Sequence, residues 1–151
     1  MRKIKFRAWN KQTGKMIYSD QVYPRSMYKF EFDILSEFDF KLMKMVDRYN
    51  VTDDEGNDTY QEVFEAVEAD IMQYTGMKDV NGKEICEGDI VKVSERMAGE
   101  DFIGKVIYDE SEGCYFIIRG SEKSYCKITI DLEDYSHYVI GNIYENPELL
   151  V

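Results

Sequence analysis

The chain has 151 residues, with 30 Asp and Glu against 19 Lys and Arg, so its formal net charge is −11. That length suits one domain, or one domain with a small addition, and the 44% of apolar residues exclude a wholly disordered chain. The longest apolar run, Cys114 to Ile118, has five residues, whereas a membrane-spanning helix needs about 20. The excess of acidic residues disfavours nucleic-acid binding.

The first predicted element is a β-hairpin. Lys3 to Trp9 alternates polar and apolar residues, Asn10 to Gly14 has turn composition, and Lys15 to Tyr18 is the returning strand. Residues 1–19 carry six bases and no acid. We expect this basic segment to protect an edge strand from aggregation. The alternative is that it contacts an acidic surface, either of a second copy or of the same chain. No apolar segment follows it, so no secretory signal is expected.

Residues 20–70 contain two predicted strands and a predicted helix. The stretches 28–34 and 38–42 alternate with the period of a strand. Residues 51–58 are polar and are predicted as a loop. Thr59 and Glu62 have the spacing of a helix capping box, which predicts a short helix at about 60–68, although Val63 and Val67 also suit a strand.

The chain from residue 71 onward is predicted to form a small closed or nearly closed β-barrel. Asn81 and Gly82 mark a turn, because both residue types tolerate positive φ. Five short strands at this spacing are typical of such a barrel. They are predicted at 89–94, 102–108, 114–119, 125–130 and 138–143.

Residues for catalysis or metal binding are scarce. The single histidine, His137, is expected to face solvent or to make a hydrogen bond near the start of a strand. Cys86, Cys114 and Cys126 form no C-x-x-C pair, and their odd number favours a reducing compartment. We therefore predict no catalytic residues, no metal and no cofactor, while a pair of carboxylates among the 30 stays open as a catalytic alternative.

Three blocks of the sequence resemble the YopX family of phage and prophage proteins. They are Ile4 to Asn10, Gln73 to Val91 and Val139 to Leu149. The blocks stand in the family's order, cover about a quarter of the chain and bracket nearly all of it. Residues 20–70 are longer and more acidic than the corresponding part of the family's pattern. The resemblance therefore implies no structure or role for them.

The resemblance implies a phage- or prophage-encoded protein in the bacterial cytoplasm, with an SH3-like barrel in its signature-containing part. It implies no reaction. Arg7 and Trp9 are expected to be exposed for contact, although Trp9 suits a cap on the core equally well. The signature residues expected to serve the structure are Tyr74, Thr75, Gly76, Asn81, Gly82, Gly88 and Asp89.

Four acidic residues complete the candidate interaction surface. Glu31, Asp33, Glu37 and Asp39 fall at even spacing, opposite the apolar residues of the same stretches. The ordinary interpretation is the solvated face of an antiparallel sheet. The alternative is a row of carboxylates that imitates a phosphate backbone and inhibits a nucleic-acid-binding protein of the host.

The predicted fold is mainly β. An SH3-like barrel occupies 71–151, an N-terminal hairpin at 1–19 packs on it, and an acidic α+β insertion occupies 20–70. The predicted function is a non-catalytic protein-interaction module whose partner is a protein, with a second copy of the chain as one candidate. Neither direct nucleic-acid binding nor membrane association is expected.

Overall fold

The computed structural model describes residues 4–33, 39–95, 101–120, 122–127 and 135–150, and most of these lie in β-strands. The strands are β1 (Phe6–Asn10), β2 (Lys15–Tyr18), β3 (Tyr28–Asp33), β4 (Asp39–Thr52), β5 (Asp58–Val67), β6 (Ala69–Lys78), β7 (Glu84–Cys86), β8 (Asp89–Glu95), β9 (Phe102–Asp109), β10 (Cys114–Arg119), β11 (Glu122–Lys127) and β12 (Tyr135–Asn142). One 3₁₀ turn, Pro147–Leu150, follows them, and none of the described ranges contains an α-helix. The mainly β prediction is therefore confirmed. Among the described residues, no helix has the length and apolarity required to cross a membrane.

The contacts within the chain divide it into two units, and the boundary falls inside β6. Lys5–Ile71 form the first unit, whereas Ile4 and the chain from Met72 onward belong to the second. The first unit contains the β1–β2 hairpin and the antiparallel sheet β3-β4-β5. The second contains a five-stranded antiparallel sheet in the order β11-β10-β9-β8-β12.

Aromatic packing holds the first unit together. Successive side chains of a strand point to opposite faces, so the alternation in β3 and β4 places their phenylalanines on one face of the sheet. The Phe40 ring lies 4.6 Å from that of Phe6 and 5.7 Å from that of Phe30, centroid to centroid. Leu42 beside them is 1% exposed. These ring separations are typical of aromatic contacts in protein cores.

The predicted first turn is confirmed and has a clear cause. The side-chain carbonyl of Asn10 accepts hydrogen bonds from the backbone N–H groups of Gln12 and Thr13. Gly14 has a φ of +60°, a conformation that glycine adopts without steric cost. The chain therefore reverses at this turn and pairs Trp9 with Met16.

The core of the second unit lies on one face of the five-stranded sheet. It is built on five buried aliphatic residues, Ile85, Val91, Val93, Val106 and Ile117. In β10 the neighbours Phe116 and Ile117 are both buried, so both faces of that strand are covered, as its continuous apolar run predicts. The strand order is compatible with an SH3-like barrel, and the SH3-like detail stays a prediction.

Close contact between β9 and β10 depends on a glycine. A Cβ atom at Gly104 would lie 2.6 Å from the carbonyl oxygen of Ile118 and 2.7 Å from Cγ2 of Ile117. Real Cβ atoms do not approach other atoms so closely. The lack of a side chain at Gly104 thus allows the two strands to pack tightly against the core.

The helix predicted at about 60–68 is wrong. Residues 58–67 form β5, which pairs with β4 from Leu42 opposite Val67 to Thr52 opposite Asp58. This ladder occupies the backbone groups that a helix would use, and Val63, Phe64 and Val67 fit a pleated surface better than a helix. The predicted α+β insertion is instead a three-stranded sheet over its described residues.

His137 is buried, so the expectation of a solvent-facing side chain is wrong, whereas its predicted place near the start of a strand is correct. It lies within β12 opposite Val93 of β8, and only 2% of its surface is exposed. The neighbours Ser136 and His137 are both buried, so both faces of β12 are covered near its start. Because burial disfavours the charged imidazolium, the pKa of His137 lies below its ordinary value of 6.5.

The free energy of unfolding should therefore depend on pH through His137. The unfolded chain takes up a proton near pH 6.5, whereas the folded chain takes it up only at lower pH, so stability should be full above that value and fall as the pH drops below it. Urea unfolding between about pH 5 and 8 measures this. His137→Gln should remove that part of the pH dependence, and an unchanged slope in the variant would contradict the assignment.

Candidate functional site

The outer ends of β4 and β5 extend beyond the three-stranded sheet as a two-stranded ribbon. The pairing of β3 with β4 reaches only to Tyr28 opposite Lys44, whereas β4 continues beside β5 as far as Thr52 opposite Asp58. We call residues 46–62 the arm. At the rise of an extended strand, its six residues from 47 to 52 reach about 20 Å.

A β-bulge marks the base of the arm. Met45 pairs with Phe64 and Asp47 pairs with Val63, so Val46 is the extra residue between them. A bulge bends the strand that contains it and increases its twist. The arm therefore begins at the point where β4 bends.

The arm is exposed on both faces. All of its residues except Val51 and Glu62 are exposed, including five in succession from 46 to 50. Since successive residues of a strand alternate between faces, such a run leaves neither face covered. The exposed residues include Tyr60 (61% of its surface), Val46 (47%) and Tyr49 (43%). A two-stranded ribbon without packing on either face is marginally stable by itself, so this surface suits a contact with another molecule.

The turn at the tip of the arm is held by its own hydrogen bonds. One carboxylate oxygen of Asp53 accepts the backbone N–H groups of Glu55 and Asn57, and Gly56 adopts a φ of +87°. The bonds from Asn57 hold the pKa of Asp53 below its ordinary value. The segment predicted as a loop over 51–58 is thus a tight turn of residues 53–57 between paired strands.

Side-chain contacts further order one face of the arm. The Arg48 guanidinium lies 4.2 Å from the centroid of the Tyr60 ring, and its Nε lies 3.7 Å from a carboxylate oxygen of Glu62. The Tyr23 hydroxyl donates a hydrogen bond to Glu62, which raises the pKa of Tyr23. These contacts fix the rotamers of large exposed side chains, which lowers the entropy cost of binding a partner.

The charge of the arm is strongly negative. It contains six carboxylates and one base, Arg48, for a formal charge of −5. The carboxylates are Asp47, Asp53, Asp54, Glu55, Asp58 and Glu62. A partner that covers the arm must therefore supply positive charge.

The predicted row of four carboxylates lies partly on the three-stranded sheet and is interrupted by lysines. Glu31 makes an ion pair with Lys29 at 2.6 Å and lies opposite Lys41 in the neighbouring strand. Asp33 and Asp39 are paired in register. Glu37 falls outside the described residues. The mixture of charges around Glu31 differs from the uniform negative charge of a phosphate backbone, so the structure gives the mimicry hypothesis no specific support.

Arg7 and Trp9 do not form an exposed pair. Arg7 is 6% exposed, so the expectation that it presents its side chain to a partner is wrong. Three of the five residues of β1 are buried, which means that both faces of this strand are covered. Trp9 is half-buried and its ring lies beside Gly14, 3.8 Å from the position that a Cβ atom would take there. This placement fits the alternative in which Trp9 caps the core.

The basic start of the chain is partly neutralised within the first unit. The Lys11 ammonium lies 2.8 Å from a carboxylate oxygen of Asp70 and 3.8 Å from one of Glu68. The hydrogen bond to Asp70 raises the pKa of Lys11. Part of the basic segment therefore meets acidic surface of the same chain.

The Gln73–Val91 block contributes hydrogen bonds within the second unit. The buried Asp79 carboxylate accepts the backbone N–H groups of Asn81 and Lys83 with one oxygen and that of Val139 with the other. It thereby ties the turn after β6 to β12. The expected role of Asn81 and Gly82 as turn residues agrees with this geometry, in which Gly82 has a φ of +80°.

Two further residues of this block bond to the backbone near β7. The Thr75 hydroxyl donates to the carbonyl of Ile85, and the Asp89 carboxylate accepts the backbone N–H of Cys86. Gly88, with a φ of +75°, also accepts the backbone N–H of Ile143. These contacts give Thr75, Gly88 and Asp89 structural roles. Within the ranges that the structure describes, no group of three or more His, Cys, Asp or Glu side chains is arranged to hold a metal ion.

The arm was missed at the sequence level. The sequence predicts a loop over 51–58 and a helix at about 60–68, the helix because Thr59 and Glu62 have the spacing of a capping box. Valines and aromatic residues, which favour strands, occur on both sides of the turn Asp53 to Asn57. This pattern is typical of a two-stranded ribbon and could have predicted one here.

The fold and the site define a mainly β protein that displays an exposed, acidic, two-stranded arm. The chain belongs to the YopX family, whose profile, described as YopX protein, matches residues 5–151. It is similar to the crystal structure of protein EF1440 from Enterococcus faecalis, with 27% identity, full coverage of both chains and a TM-score of 0.59. It is also similar in fold to the X-ray crystal structure of protein yopX from Bacillus subtilis, with 22% identity, full coverage of both chains and a TM-score of 0.59. No curated protein matches the chain.

Removal of the Asp79 carboxylate should destabilise the second unit strongly. Asp79→Ala leaves three backbone donors without their acceptor, one of them in β12, and we expect a loss of about 3 kcal/mol in the free energy of unfolding. Asp79→Asn keeps one carbonyl oxygen and should cost less. Asp53→Ala, which removes a similar set of bonds in an exposed turn, is the matched control and should cost much less, because water can bond to the groups that it leaves. Equal losses for the two alanine variants, measured by urea unfolding, would contradict the proposed importance of Asp79.

Proposed function

We propose that this chain is a non-catalytic protein-interaction module of a phage or prophage, which acts in the bacterial cytoplasm and associates with itself. The observation that carries the proposal is the arm, a ribbon exposed on both faces that presents Val46, Tyr49 and Tyr60. Tyrosine is enriched in protein interfaces because its ring buries a large area while its hydroxyl still bonds to water or to a partner.

The uses of the buried polar groups support a non-catalytic role. Asp79 and Asp89 accept backbone hydrogen bonds, and His137 is enclosed in the sheet. General acid or base chemistry needs a group within reach of a substrate. These three groups instead serve the fold, whereas the large exposed side chains lie on the arm.

The phage or prophage origin and the cytoplasmic location are expectations that come from the YopX resemblance. The cysteines are in keeping with them. Neither Cys86 nor Cys114 forms a disulfide bond among the described residues. Free thiols are typical of proteins that work in a reducing compartment.

Light scattering behind a sizing column tests self-association of the full chain. At low salt the species should be larger than the 17.8 kDa monomer, and at about 0.5 M salt it should shift towards the monomer, because screening weakens contacts between exposed charges. A monomer at both salt concentrations, at every protein concentration used, would contradict self-association.

Substitution of the arm tyrosines locates the contact. Tyr49→Thr combined with Tyr60→Thr keeps residues that favour strands but removes both exposed rings, and we expect the dissociation constant to rise about tenfold or more. The matched control is Tyr138→Thr, which removes a tyrosine that is 37% exposed in the second unit. If the control weakened association as much as the double variant, the arm would not be the contact surface.

A further inference from the structure

We propose that the arm of one copy binds the turn between β6 and β7 of a second copy. We call residues 78–83 the basic turn. This inference rests on the self-association proposed above and names the two surfaces that meet. The contact then joins the first unit of one copy to the second unit of another.

The basic turn offers two exposed ammonium groups. Lys78 is the last residue of β6, and Lys83 immediately precedes β7. The backbone N–H of Asp79 donates to the carbonyl of Lys83 at 2.8 Å, so the two lysines flank the same turn. Neither lysine makes an ion pair within the described part of the chain. Both ammonium groups are therefore available to carboxylates of another molecule.

The other exposed bases without an ion pair stand singly among the described side chains. They are Lys15 in β2, Arg25 between β2 and β3, and Arg119 at the end of β10. The arm has a formal charge of −5, so contact with a single base would leave most of that charge unopposed. The basic turn places two such bases at one site, and it is therefore the surface that best complements the arm.

Hydrogen bonds hold the basic turn in one conformation. Besides the bonds to the Asp79 carboxylate described above, the backbone N–H of Gly82 donates to the Asp79 carbonyl at 2.9 Å. The backbone N–H of Val80 donates to the carbonyl of His137 at 3.1 Å. A surface that is already ordered loses little conformational entropy when a partner binds. Since the Asp79 side chain is 5% exposed, the two lysines form the exposed charge of the turn.

An exposed apolar side chain accompanies the two lysines. Val80 is 43% exposed in the basic turn, and the arm presents Val46, Tyr49 and Tyr60. Contact between these side chains would remove apolar surface from water, which is favourable. The two surfaces therefore complement each other in apolar content as well as in charge.

The acidic residues of the arm can be divided by their roles. Asp53 holds the turn and Glu62 contacts Arg48, so both serve the arm itself. Asp54 and Glu55 lie exposed at the tip, where their side chains can be changed without removal of the Asp53 bonds. These two carboxylates are the best places to reverse the charge while the ribbon is kept intact.

A charge-swap experiment on the full chain tests the inference. The acid variant is Asp54→Lys with Glu55→Lys, and the base variant is Lys78→Glu with Lys83→Glu. Because Lys78 lies opposite Glu84 in register, Lys78→Gln with Lys83→Gln serves as a neutral variant that removes the charges without adding an acid there. Sedimentation velocity at about 0.1 M salt, where charges more than about 10 Å apart are largely screened, gives the dissociation constants. Circular dichroism checks that each variant keeps its strand content.

Two matched controls separate the local contact from the change in net charge. Glu110→Lys with Glu112→Lys repeats the charge change of the acid variant in an exposed turn of the second unit. Lys15→Glu with Arg25→Glu repeats that of the base variant at exposed positions of the first unit. Each control should leave the dissociation constant within about threefold of the wild-type value.

The acid and base variants should each weaken association about tenfold or more, and the neutral variant about threefold or more. In an equimolar mixture of the acid and base variants, each arm meets a turn of opposite charge, so association of about wild-type affinity should return. Variants that bind as tightly as wild type, controls that weaken association equally, or a mixture without recovery would overturn this inference and leave self-association standing. A wild-type chain that is monomeric throughout would overturn self-association and this inference with it.

Discussion

The hydrogen bonds to the Asp79 carboxylate join a turn of the second unit to a distant strand. The two oxygens of this carboxylate accept three backbone hydrogen bonds, two from its own turn and one from Val139 in β12, and Asp79 is 5% exposed. Val139 and Asp79 are 60 residues apart in the sequence, so this one side chain fixes both a local turn and a distant strand. Because a buried carboxylate is expensive unless its oxygens are bonded, the turn and the strand stabilise each other.

Several residues of the Gln73–Val91 block, which carries much of the YopX resemblance, are therefore engaged in building the second unit. Thr75, Asp79 and Asp89 bond to backbone groups, and Gly88 accepts the backbone N–H of Ile143 in the closing block. Groups used in this way have little capacity left for a substrate. The arm differs in this respect. It has more exposed tyrosines and carboxylates than are needed to hold its own turn and ribbon together. This contrast is the physical reason for which we propose an interaction surface in the first unit.

The local elements of the fold could be predicted from the sequence, whereas their long-range pairing could not. The turn at Asn10 and the strand Tyr28–Asp33 follow from residue type and alternation, which act over a few residues. The helix predicted at about 60–68 failed because a capping pattern at Thr59 is weaker than ten residues of pairing with β4, the strand that precedes it across the turn 53–57. The burial of Arg7 was missed for a similar reason, since alternation shows which face a residue lies on but not whether that face is covered. The arm itself is a local hairpin, and it was not predicted because the capping pattern at Thr59 concealed the second strand.

Hydrogen–deuterium exchange of the full chain at low and high protein concentration tests the central claim most directly. Amide exchange is slowed where a contact buries or stabilises backbone hydrogen bonds, so it reports on the arm without any substitution. The account predicts that peptides covering 46–62 exchange more slowly at high concentration, while peptides from β8 in the core of the second unit do not change. Exchange of the arm that is equally fast at both concentrations, in a sample shown to associate, would contradict the assignment of the arm as the contact surface.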